Sequence, residues 1–101
     1  MKQLSQLLKS KRESKGLLLR EVASEIEVDT ALVSKIENSD RRPTKEQLKK
    51  LSKTLEIDFT KLLTMWYVEK IYEEIGDENN VQEIVRELNR VVRKKVSQTK
   101  K

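Results

Sequence analysis

Apolar residues recur along this chain at the three- and four-residue spacings of α-helices, and no stretch alternates with the two-residue spacing of a strand. Leu4, Leu7 and Leu8 mark a first stripe over residues 2–15, with Arg12 on the same face as Leu8 and Gly16 standing where a left-handed helix end is wanted. Leu19, Val22, Ala23 and Ile26 make a second stripe, and Leu32, Val33 and Ile36 a third. Only Glu27-Val28-Asp29 separates those two, which is too short for an independent loop. Val28 reads as an inward apolar plug and Asp29 as the N-cap of a helix that begins near Thr30. Ala23, with a single methyl, lets the two helix axes approach closely, as a tight turn between crossed helices requires.

Downstream, Asn38-Ser39-Asp40-Arg41-Arg42-Pro43 has the composition of an exposed loop. Thr44 and Gln47 then form a capping box that opens a fourth helix, whose Leu48, Leu51 and Leu55 face inward and which ends near Glu56. Asp58 caps a fifth helix from Phe59 to about Ile75, and Gly76 ends it. A last amphipathic stripe runs through Val81, Ile84, Val85, Leu88, Val91 or Val92, and Val96. The predicted fold is all-α: five helices, then one further amphipathic helix, with helices five and six as a C-terminal extension. The expected divisions are a domain over residues 1–63, a helical extension over 64–96 and a basic tail over 97–101 that frays.

Composition narrows the chemistry. The length of 101 residues suits one domain, and 39% charged residues of both signs fit solvated helix faces, because the apolar periodicity persists throughout. The chain has no Cys and no His, which removes disulfide and thiolate chemistry and the commonest general base and metal ligand. Glu73 and Glu74, adjacent in sequence, point in different directions on a helix and form no acid–base pair. No phosphate-binding Gly loop or metal-ligand cluster appears, so the expectation is a non-enzyme with no cofactor, no metal and no small-molecule substrate. Apolar runs are far too short for a membrane span or a signal-peptide core, which predicts a cytoplasmic protein with no membrane partner. A formal net charge of +5 is compatible with a polyanion and by itself selects none.

The helix-turn-helix described by residues 19–36 carries a more specific signal. Ala23, Val28, Val33, Ile36 and the closing Glu37, followed by the basic loop Arg41-Arg42-Pro43, occur at a joint spacing that resembles the Cro/phage-repressor, or XRE, family. The likeness covers about Leu4 to Leu63. It implies a sequence-specific, double-stranded-DNA-binding transcription regulator. On this resemblance Thr30, Ala31, Ser34 and Lys35 take the base-contacting places, and Leu32 lies near the sugar-phosphate edge or a thymine methyl. Arg20, Arg41, Arg42 and Lys45 take backbone phosphates, and Arg12 and Glu37 form a structural ion pair. Two departures stand out: Glu27 where the family commonly has Gly, and Leu18-Leu19 where it often has a polar cap and a phosphate-contacting Gln. Leu at that place resembles regulators of restriction-modification loci, the controller proteins.

The apolar stripe of helices five and six needs a cover. A second copy is one answer, with Trp66, Tyr67, Ile71, Ile84, Leu88 and Val92 as the interface of a homodimer on a short palindromic operator. Packing on the chain's own domain is another. A rival function is a protein-binding module of antitoxin or antirepressor type, whose last two helices hold a partner protein.

Overall fold

A computed structural model describes residues 2–99, and all of the regular structure among them is helical. The helices are α1 Gln3–Ser14, α2 Leu19–Glu25, α3 Thr30–Glu37, α4 Lys45–Leu55, α5 Phe59–Ile75 and α6 Val81–Thr99. The last helix therefore runs past Val96 into the stretch expected to fray; Lys100 and Lys101 lie outside the described residues. None of the described helices is long and apolar enough to cross a membrane.

The chain divides between Glu69 and Lys70 into two compact units. The first is built as the stripes require. Leu4 and Leu8 of α1, Val22, Ala23 and Ile26 of α2, Val33 and Ile36 of α3, Leu48, Leu51 and Leu55 of α4, and Leu62 and Trp66 of α5 form one buried cluster. Full burial of side chains of this size contributes about 1.5–3 kcal/mol each, which is what holds short helices that would be marginal alone.

This unit extends past the expected boundary at Leu63 because α5 is tied into it at two further points. The Trp66 indole N–H donates to the Pro43 carbonyl at 2.7 Å, and Glu69 Oε2 accepts the Leu4 backbone N–H at 2.8 Å. The second bond caps α1 from a distant helix: Lys2, at the N-cap, supplies no side-chain acceptor, and a carboxylate at a helix N-terminus also meets the positive end of the dipole. Trp66 is accordingly a core residue, 7% exposed, and leaves the set of interface candidates.

Helix ends follow local chemistry. Gly16 takes φ 69° after α1, with Leu17 N–H donating to the Arg12 carbonyl. Among the described residues three non-glycines also adopt positive φ, and each terminates a helix: Glu27 after α2, Ser39 after α3 and Glu56 after α4. The Glu56 carboxylate accepts from Lys15 Nζ at 2.6 Å, a hydrogen bond that holds its pKa below the ordinary glutamate value.

The second unit begins at Lys70, with the end of α5, a turn through Gly76–Asn80, and α6. Of the α6 side chains described, Val81 and Ile84 are half-buried and the others are exposed, Leu88 and Val92 among them.

Candidate nucleic-acid interface

Hydrogen bonds in both flanks of α3 help to orient it. At its start the Asp29 carboxylate accepts from the Leu32 N–H at 2.7 Å, satisfying one of the amides that open the helix. Before it, the turn closes with Val28 N–H donating to the Ala23 carbonyl at 3.0 Å. Glu27 occupies the left-handed position there at φ 61°, so the turn keeps its form despite the acid. Inward, Val33 and Ile36 are buried; outward, Thr30, Ala31 and Lys35 are exposed, with Ser34 and Leu32 half-buried beside them. The first turn of α3 thus presents a hydroxyl and a methyl, both short enough to enter a major groove, and Lys35 one turn later supplies a donor.

The loop after α3 curls back onto it. Asp40 N–H and Arg41 N–H both donate to the Lys35 carbonyl, at 2.9 and 3.2 Å, which holds the backbone of Arg41 against the last turn of the helix. Ser39 makes that reversal at φ 64°, and its hydroxyl bonds the buried Ser5 of α1. Pattern reading missed this hydroxyl pair. The signal available was Ser5 itself, a polar residue beside Leu4 on the inward face of α1.

Arg41 is exposed, whereas Arg42 is half-buried with its guanidinium 6.0 Å from the centre of the Trp66 ring. Lys45, in the first turn of α4, places its ammonium 4.6 Å from the Tyr67 ring and 5.9 Å from Trp66. The two aromatic rings meet edge to face at 4.9 Å. The structure thus brings two of the phosphate candidates onto one aromatic platform, whose ring faces attract cations while leaving Lys45 exposed. Arg20 stands apart from them, in a shallow groove with Leu17, Glu21, Ser24, Glu25 and Thr54, where two carboxylates oppose an incoming phosphate. At the start of α2 Leu18 is exposed, and its N–H is satisfied by Glu21 Oε1 at 2.7 Å.

Arg12 and Glu37 meet beneath this surface. Arg12 Nε and Nη2 donate to the two carboxylate oxygens at 2.7 and 3.1 Å, and Nη1 donates to the Leu17 carbonyl at 2.8 Å. Both side chains are largely buried. The bond to Glu37 raises the guanidinium's pKa further above its ordinary value, so the charge persists wherever the protein is folded. The pair binds α1 to the end of α3. Among the described residues no group of carboxylates could hold a metal ion.

A protein-family model described as helix-turn-helix matches residues 8–62, from α1 into α5, which includes all of α2, α3 and α4. No curated protein and no solved structure matches the chain.

Proposed function

Because the chain belongs to the helix-turn-helix family, of the XRE type whose members are DNA-binding transcription regulators, we propose that it reads a short palindromic operator as a homodimer. One observation carries the reading: α3 projects Thr30, Ala31 and Lys35 outward between a capped start and a loop that pins Arg41 to its last turn. Lys35 donates to guanine O6 or N7, Thr30 and Ala31 meet a thymine methyl, and Ser34 bonds a base edge or phosphate. Arg41, Arg42 and Lys45 take phosphates along the backbone, and Leu32 packs at the sugar edge. Arg20 reaches a phosphate only by turning away from Glu21 and Glu25.

A single recognition helix reads few base pairs, and a two-fold dimer doubles the site with half-sites about one helical turn, roughly 34 Å, apart. Exposure of Tyr67 in the first unit, and separately of Ile71, Leu88 and Val92 in the second, supports apolar residues that a second copy covers in the assembled protein; Ile84 is half-buried. The same exposure supports the protein-binding alternative, in which those helices hold a different chain. A stoichiometric partner on copurification selects that alternative. Leu18-Leu19 at the start of α2 supports assigning the operator to a restriction-modification locus, which the genes beside this one test directly.

Fluorescence anisotropy with duplexes tiling the DNA upstream of the protein's own gene, at several salt concentrations, tests the central claim. The expected result is tight, salt-sensitive binding to one duplex and weaker, less selective binding by Lys35→Ala. Equal, weak binding to every duplex with the variant unchanged would remove the function and leave the fold.

A further inference from the structure

Lys45 is the first residue of α4, directly after the Thr44 cap. That is an unfavourable place for a cation, because the positive end of the helix dipole lies there. Glu46, the acid of the same turn, offsets part of the cost, and two aromatic rings offset more. The Lys45 ammonium lies 4.6 Å from the centre of the Tyr67 ring and 5.9 Å from that of Trp66, within the range at which an aromatic ring attracts a cation. The rings are themselves held. Trp66 is buried and its indole N–H donates to the Pro43 carbonyl at 2.7 Å, and Tyr67 meets Trp66 edge to face at 4.9 Å. All of these residues belong to the first unit.

We propose that Tyr67 is a positioning residue for DNA binding: its ring seats the Lys45 ammonium in advance, so that the N–H groups turned away from the ring meet a backbone phosphate. The proposal rests on the DNA-binding reading and names the side chain that makes this phosphate contact effective. The gain is one of order. A lysine stem is long and flexible, and tying it down at a phosphate costs rotamer freedom at the moment of binding. A lysine already held on a ring has given up that freedom on folding. An ammonium carries three N–H donors, so a ring and a phosphate can share it, and Lys45 stays exposed to receive the phosphate.

Cover by a second copy does not account for the seat. Such a contact needs only the apolar surface of Tyr67, 37% exposed, and gives no reason for a cation beside the ring. Stability of the domain does not account for it either, since a neutral or acidic residue at the start of α4 would suit the dipole better than lysine. A positive charge gathered at a positive helix end and held on rigid rings is satisfied by an anion from outside the chain.

The test is a double-mutant cycle on the full-length chain. Anisotropy with a random duplex and with the tightest-binding duplex, over a salt series, is measured for the natural chain, Lys45→Ala, Tyr67→Leu, Tyr67→Phe and the Lys45→Ala/Tyr67→Leu double variant, with sedimentation of each. Tyr67 is exposed, so these substitutions leave the buried cluster intact. Tyr67→Leu should weaken binding to both duplexes roughly two- to tenfold per subunit, the entropy of one immobilised side chain, without changing the salt slope, because the charge remains. Lys45→Ala should flatten that slope by about 0.9. Tyr67→Phe, which keeps the ring, should bind like the natural chain, and Tyr67→Leu should lose nothing further once Lys45 is gone. Equal losses in the Lys45→Ala background, or a loss that follows a weakened dimer in sedimentation, would overturn the proposal and return Tyr67 to the interface between copies. An equal loss in Tyr67→Phe would overturn it in favour of direct contact by the hydroxyl. Unchanged or tighter binding by Tyr67→Leu would overturn it while the DNA-binding reading stands. Absence of salt-sensitive binding by the natural chain would remove that reading and the proposal with it.

Discussion

At Glu27 the backbone sits in the left-handed region although the side chain carries a Cβ, a conformation that costs a non-glycine about 1–2 kcal/mol. The exposed ion pair with Lys50, 3.2 Å away, returns less than about 1 kcal/mol of that. Glu27→Gly should therefore raise stability by roughly 1 kcal/mol, read as a higher urea midpoint with an unchanged slope. Arg12 and Glu37 behave in the opposite sense. Removing either strands a charge in a largely buried place, so Arg12→Ala and Glu37→Ala should each lose about 3–5 kcal/mol. Replacing both together by Met and Leu should recover most of the loss in chemical denaturation, since the net worth of a buried pair is small. Glu56 gives a pH signature. Its folded pKa is lowered chiefly by the hydrogen bond from Lys15, so the stability it contributes is present above the ordinary glutamate range and lost as pH falls through the lowered value. Glu56→Gln should thus be less stable than the natural chain at neutral pH, with the gap closing as the solution is acidified.

Among the helices, the legible features are those that local spacing determines. The Asp29 cap, the Thr44–Gln47 box and the Asp58 cap each join residues three apart, and all three form. The inward face of each amino-terminal helix is equally legible, because periodicity alone decides it. Bonds between distant helices leave no such trace. Nothing around Leu4 announces that its amide is capped by Glu69, and the stripe of α5 does not say which of its aromatics turns inward. Trp66 reads as an interface residue from its spacing; it is in the core because the Pro43 carbonyl, which ends an irregular loop, needs a donor there. At the candidate site the outward residues of α3 are legible and the aromatic platform under Arg42 and Lys45 is not, since it joins the loop after α3 and the start of α4 through α5. Glu69→Ala isolates one of these long-range bonds. Loss of a capping acceptor should cost about 1 kcal/mol and, more tellingly, should speed hydrogen exchange in the first turn of α1 while leaving α3 and α4 protected.

For the molecule as a whole, a net charge of +5 draws any polyanion, so affinity alone cannot distinguish a regulator from a basic protein. The arrangement of charge can. Arg41 stands outside α3, held by its backbone to the last turn, where it meets a phosphate that every sequence presents. Lys35 stands on the outward face of the helix itself, where it meets a base edge that only some sequences present. Arg41→Ala should therefore weaken binding to operator and random duplex alike, and flatten the plot of log affinity against log salt by about 0.9 for each phosphate left without its cation. Lys35→Ala should leave that slope nearly unchanged on random DNA and lose about 1–3 kcal/mol of discrimination on the operator, confined to the base pair it reads. In a two-fold dimer each substitution acts twice, so both effects should double relative to a heterodimer carrying one altered chain. If the two variants changed slope and selectivity in the same proportion, α3 would be one more basic surface, and the division of labour between helix and loop would fall with it.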